Sequence, residues 1–241
     1  MGLKIAVHRL FRKIGYDFRR YHSDNFPELN RIKIINKQNI NLVLDIGASE
    51  GLYAAELREA GYKGRIISFE PLGESFKLLN QKSDKDTEWD SFNIALGESD
   101  GEVEMNVSGH ITSSSLLPMT DVHLNAMQSS AIVSKEKIKV RALNSFLGKE
   151  IKASDRIYLK VDVQGFEMFV LRGADKILDQ VEAIEIELSL APLYKDVPLF
   201  LDMIKYLESL GFMIVSMNSV FSDPNTDQLL QVDGIFKRKK L

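Results

Sequence analysis

The spacing of hydrophobic positions changes several times along the chain. Leu3, Ala6, Val7, Leu10, Phe11 and Ile14 recur at helical intervals, with Lys4, His8, Arg9, Arg12 and Lys13 on the opposite face. A second helix is predicted through Pro27 to about Lys37, capped by Ser23 or Asn25, with proline in its first turn. From residue 41 the period shortens. Residues 41–46 read as an apolar strand ending in Gly47, residues 51–61 as a helix stopped by Gly61, and residues 65–70 as a strand ended by Pro71. Residues 72–82 are helical in pattern. Residues 91–95 and 102–107 are extended, the latter after an Asp100-Gly101 turn. Residues 108–136 show no clear period, and a stretch of that length inside a compact domain points to function or disorder. Beyond it, 138–142, 156–162 and 181–188 read as strands, and 166–178 and 198–210 as helices. Residues 212–217 and 230–236 are a closing strand pair, with a turn at 223–225 between them.

Alternating strands and helices imply an α/β domain with a mostly parallel sheet covered on both faces. The division expected is a catalytic domain over 39–241 and a helical extension over 1–38. Ligands of such sheets sit at the carboxyl ends of the strands, so the residues that follow each strand carry the functional interest.

Composition narrows the chemistry. The 241 residues hold 31 Lys+Arg against 34 Asp+Glu, a formal charge of −3, which argues against a dedicated nucleic-acid partner. The absence of cysteine removes disulfides, thiolate metal sites and thiol nucleophiles, and fits a cytoplasmic enzyme. Neither a transmembrane run nor a secretory signal is expected. The charge is uneven, because residues 1–20 carry six Lys/Arg and one Asp.

The first strand–helix turn is Asp45-Ile46-Gly47-Ala48-Ser49-Glu50-Gly51. Its glycines allow a tight turn and close approach of backbone to a ligand. It is not a phosphate-binding P-loop, because no Gly-Lys-Ser/Thr follows. It is not the dinucleotide fingerprint either, because Asp45 stands where the first glycine would fall and Glu50 would repel a pyrophosphate. A cofactor with a cationic end, such as S-adenosylmethionine, suits these carboxylates. Glu70, at the end of the second strand, is placed to accept from two ribose hydroxyls.

These residues carry a resemblance. Val43-Leu44-Asp45-Ile46-Gly47-Ala48-Ser49-Glu50-Gly51 with Ser68-Phe69-Glu70-Pro71 resembles the class I S-adenosylmethionine-dependent methyltransferases. More narrowly, the chain looks like the FkbM family. Further support comes from Ala95-Leu96-Gly97, Ser113-Ser114-Ser115-Leu116-Leu117-Pro118, Leu159-Lys160-Val161-Asp162-Val163-Gln164-Gly165-Phe166-Glu167 and Asp233-Gly234-Ile235-Phe236-Lys237-Arg238. The similarity runs over roughly residues 13–238. It implies a Rossmann-like, seven-stranded mixed sheet with the last strand antiparallel and helices on both faces. It also implies methyl transfer from S-adenosylmethionine, usually to a hydroxyl oxygen. The acceptor expected is a sugar, nucleotide sugar or surface glycan, with a natural product or a non-catalytic cofactor-binding module as the alternatives. Carried onto this sequence, Asp45, Gly47, Ala48, Ser49 and Gly51 line the methionine and ribose end. Glu70, followed by Pro71, takes the ribose hydroxyls, and Asn93, Ala95 and Leu96 border the adenine. Two positions depart from the family pattern: Ser49 stands where Asn is common, and Gln164 where Glu is common.

For the chemistry itself, Lys160, Asp162 and Glu167 form the second cluster. Asp162, at a strand end, is the candidate base, or the ligand of a metal that acidifies the acceptor hydroxyl; as an alternative it pairs with Lys160 or caps a helix. Glu185 and Glu187 alternate out of the apolar positions of their strand. They read as its polar face, with a Glu187–Asp162 oxygen site for Mg²⁺ as the alternative; no metal is expected. His110 and His123 fall in the long loop as candidate bases or surface residues, and Ser113–Ser115 as a segment that closes over the ligands. The N-terminal helix has three arrangements open to it. Packing on the catalytic domain comes first, then an anionic membrane surface, then a dimer contact.

Overall fold

The computed structural model describes residues 2–16, 26–146 and 148–239. Helix α1 (Gly2–Lys13) precedes α2 (Pro27–Lys37). The residue before α2 is Phe26, which makes no side-chain cap bond; Ser23 and Asn25 lie outside the described residues. The alternating unit then runs β1 (Leu42–Ile46), α3 (Leu52–Glu59), β2 (Arg65–Phe69), α4 (Gly73–Ser83) and β3 (Trp89–Phe92). It resumes with β7 (Ile157–Val161), α6 (Glu167–Arg172), β8 (Val181–Ser189), α7 (Phe200–Ser209), β9 (Phe212–Ser222) and β10 (Leu229–Arg238).

Seven of these strands form one sheet in the order β3-β2-β1-β7-β8-β10-β9. The strands from β3 to β8 pair in parallel, and β10 runs antiparallel to both β8 and β9. The single reversed strand is therefore the last in sequence, as expected. Every residue of β1 and of β7 is buried, which explains why both read as unbroken apolar runs. Alternation still sorts their side chains. Leu42, Leu44 and Ile46 join α6 and α7 in one core, and Val43 joins α2 and α3 in the other. Ile34 and Ile35 of α2 belong to this second core, so α2 is packed into the catalytic body.

The strand order reverses between β1 and β7. That is the topological switch point, and the crevice at their carboxyl ends is where the ligand belongs.

The region between β3 and β7 differs from expectation. The single strand predicted over 91–95 is two, broken at Asn93. Its side-chain amide donates to the carbonyls of Glu70 (3.0 Å) and Pro71 (2.9 Å), and the chain turns away from the main sheet. Residues Ala95–Gly97 (β4) then enter a second sheet of order β4-β6-β5, with β5 (Gly101–Ser108) and β6 (Ile132–Ala142). The aperiodic stretch 108–136 thus contains the start of an 11-residue strand and the short helix α5 (Asp121–Ala126). The predicted helix 166–178 stops at Arg172.

Candidate active site

The turn after β1 is held by backbone geometry. Gly47 has φ +74, and a Cβ added there would lie 1.8 Å from the carbonyl oxygen of Asp162. Only glycine lets the two turns, after β1 and after β7, touch in this way. The contact is pinned by the Asp162 N–H, which donates to Ile46 O (3.1 Å), and by the N–H groups of Gly47 and Ala48, which both donate to Phe69 O (3.0 Å). Ser49 follows in left-handed backbone, φ 48.

Glu70 closes the other side. Its Oε2 accepts from the Ser49 N–H (2.8 Å) and its Oε1 from the Leu72 N–H (2.9 Å), which fixes the carboxyl plane and leaves further lone pairs for a ligand. Burial, only partly offset by these two bonds, pushes its pKa up to about 7.

Between these elements lies a cavity with a polar and an apolar end. Gly47, Ser49, Glu70 and Asp162 supply polar wall; Phe69, Ile94, Leu96, Leu116 and Phe166 supply an apolar slot, with Pro71 and Ala95 alongside. Thr112, Ser114 and Leu116 reach it from the segment before α5. Four of the residues expected at the cofactor do not line the cavity but shape it. Ala48 is buried in the core beside α3, and Gly51 (φ +79) passes under Leu79 and Trp89. Asn93 is used on the backbone, as described. Asp45 is wholly buried, with Oδ2 accepting from Ser68 Oγ (3.1 Å) and Oδ1 3.3 Å from Lys160 Nζ.

Lys160 is a fixed cation. Nζ donates to Gly47 O (2.9 Å) and stands 3.7 Å from Asp162 Oδ2. Burial works against its charge, but Asp45 and then Asp162 outweigh that and hold the ammonium above its ordinary range. It therefore braces the turn after β1. Asp162 keeps a side-chain exposure of 39% and lines a second, open polar cleft as well as the cavity. Arg31, Tyr53, Glu185, Glu187 and Asp233 form the far side of that cleft.

The model of the methyltransferase FkbM domain family matches residues 45–214, most of the chain and all of the cavity turns. The chain belongs to the FkbM family. No curated protein matches its sequence. Among solved structures, the methyltransferase FkbM from Methylobacillus flagellatus is 18% identical with a TM-score of 0.51, over 81% of this chain and 43% of its own. The chain thus spans less than half the length of that relative. TehB from Haemophilus influenzae is also similar, at 13% identity and a TM-score of 0.48, over 96% of this chain and 67% of its own.

In this FkbM methyltransferase domain the remaining candidates fall into place. Glu185 and Glu187 are both buried and engaged, not a solvated strand face. Glu185 is held by Arg31 (2.8 Å), Tyr53 Oη (2.7 Å) and Tyr158 Oη (2.9 Å). Glu187 Oε2 accepts from Gln164 Nε2 (2.9 Å) and Gln231 Nε2 (2.6 Å). Burial, then the charges of Asp162 and Glu167, keep Glu187 protonated well above the usual carboxyl range. Among the described residues no group of three potential metal ligands converges. Glu167 caps its own turn, with Oε1 accepting from the N–H groups of Val163 (3.2 Å) and Gly165 (3.0 Å).

Neither histidine lines the cavity. His123 packs edge-on to Tyr194 at 5.3 Å, and burial lowers its pKa to about 4, so it stays neutral. His110 Nδ1 meets the hydroxyls of Thr112 (3.0 Å) and Ser113 (3.3 Å). Ser115 Oγ donates to Gln164 O (2.6 Å), which ties the serine segment to the Asp162 turn.

The sequence reading missed Gln164 as a working part. Its amide donates to Asp162 Oδ1 and Glu187 Oε2 (both 2.9 Å) and accepts from Tyr194 Oη (2.8 Å). Its φ of 54, unusual for glutamine, marks a constrained position. Its departure from the family residue was the one available signal. Arg31, Tyr53 and Asp233 were also missed, since nothing in their local patterns sets them apart.

Proposed function

We propose that the chain transfers a methyl group from S-adenosylmethionine to a hydroxyl oxygen of a sugar or glycan. One observation carries the reading: the Asp162 carboxylate lines both the largely apolar cavity at the strand ends and the polar cleft beside it.

The cavity fits the cofactor on its own chemistry. The slot of Phe69, Ile94, Leu96 and Phe166 suits an adenine, and the Glu70 carboxylate suits paired ribose hydroxyls. The close approach at Gly47 suits a methionine end lying against backbone. When bound, S-adenosylmethionine supplies an activated methyl group and a neutral thioether leaving group. The protein's own task is alignment and proton removal. Asp162 accepts the acceptor's hydroxyl proton as the oxygen is alkylated, and Lys160 and the Gln164 amide hold its carboxylate at the boundary. Arg31, Tyr53, Glu187 and Asp233 face the acceptor. This surface is rich in hydroxyl-accepting oxygens.

The test is transfer of labelled methyl from S-adenosylmethionine to a panel of glycosides, nucleotide sugars and glycans. Asp162→Asn is expected to lower turnover about 100-fold or more while cofactor affinity stays within about twofold. Undiminished turnover in that variant would overturn the assignment.

A further inference from the structure

Helix α1 and the residue after it hold three exposed apolar side chains. Val7, Leu10 and Ile14 lie at intervals that stack them along one side, and their exposures are 44%, 63% and 63%. Tyr16, just past the helix, is 64% exposed. Packing on the catalytic body, the first arrangement expected from the sequence, does not cover Val7, Leu10 or Ile14. Away from them lie Arg9 and Lys13, both exposed, and the helix contains no acidic residue. A row of Leu and Ile in water is unfavourable, and a cluster of like charges is poorly suited to a buried protein contact. An anionic lipid surface satisfies both at once. Acyl chains receive the apolar row, and headgroup phosphates receive guanidinium and ammonium groups that bend up from the helix. The rest of the chain is net acidic.

We infer that α1 is a reversible docking element for an anionic membrane surface. Binding by one short helix is weak and relies on apolar burial and charge together, so removing either releases it. Nothing in the methyl-transfer reading is needed for this, and the test uses no acceptor.

The full chain is sedimented with vesicles of phosphatidylcholine alone and with vesicles of equal parts phosphatidylcholine and phosphatidylglycerol. Partition into the anionic vesicles is expected to exceed that into neutral ones by about tenfold or more at low salt, and to fall as salt is raised. Leu10→Asp with Ile14→Asp, and separately Arg9→Glu with Lys13→Glu, are each expected to abolish it. Their melting temperatures should match the parent, because these side chains lie outside the cores of the sheet. Absence of partition, equal partition into both vesicles, or variants that bind like the parent would overturn the inference. So would a parent dimer, seen by light scattering, that the Leu10→Asp, Ile14→Asp variant converts to a monomer without any vesicle binding, since the row would then belong to a second copy.

Discussion

Glu70 shows how one side chain couples structure to cofactor chemistry. It must be a carboxylate to accept from two hydroxyls, yet its pKa of about 7 leaves it partly protonated at neutral pH. Affinity for S-adenosylhomocysteine, measured by calorimetry, should therefore rise about tenfold between about pH 6 and about pH 8. Glu70→Gln should flatten that dependence as well as weaken binding. A parent affinity that is constant over this range would contradict the hydroxyl role. Glu70 and Asp162 were legible because a carboxylate directly after an apolar strand is conspicuous. Tyr194 was not. It meets Gln164 from a segment 30 residues further on, and no local pattern encodes that meeting. Ser49 was legible as part of the turn but not as a left-handed residue, a conformation in which glycine or asparagine is more at ease.

At the scale of elements, α2 is joined to the sheet by a buried ion pair. Arg31 meets both oxygens of Glu185 at 2.8 and 2.9 Å through Nε, and its guanidinium lies 4.9 Å from the ring centroid of Tyr53. Truncating one partner leaves the other charged and desolvated. Arg31→Met is expected to cost about 3 kcal/mol in urea unfolding, and Arg31→Met with Glu185→Gln considerably less than the two single changes added together. Simple additivity would show that the pair is not coupled. The parallel strands were readable in sequence because both faces are buried and their runs are continuous. Strand β6 was readable only over 138–142, since residues 132–136 are largely exposed and show no alternation. The second sheet escaped for the same reason. Its existence depends on Asn93 turning the chain, which is an effect of side-chain hydrogen bonding and not of period.

For the whole molecule, two buried carboxyls and one half-buried one set the response to pH. Glu70, Glu167 and Asp233 each titrate near 7, in every case chiefly through burial. A carboxyl whose folded pKa is raised favours the folded state when protonated, so its contribution is present at low pH and is lost as pH rises through about 7. His123, held neutral down to about 4, works in the opposite sense and offsets part of this below the ordinary histidine range. The melting temperature of the ligand-free protein is thus expected to fall between about pH 6.5 and about pH 8, where the histidine no longer counters the carboxyls. A flat or rising curve in that window would mean that these groups are solvated.

The contact between Gly47 and the Asp162 carbonyl has an evolutionary consequence. The turns after β1 and β7 are spaced by main chain, with no side chain between them. Arg31 and Tyr53, which line the polar cleft, come instead from α2 and α3, as side chains on a separate layer. In the proposed function, a lineage that exchanges its acceptor changes that layer, at the stability cost of the Arg31–Glu185 pair, while the main-chain spacing of the two turns is kept.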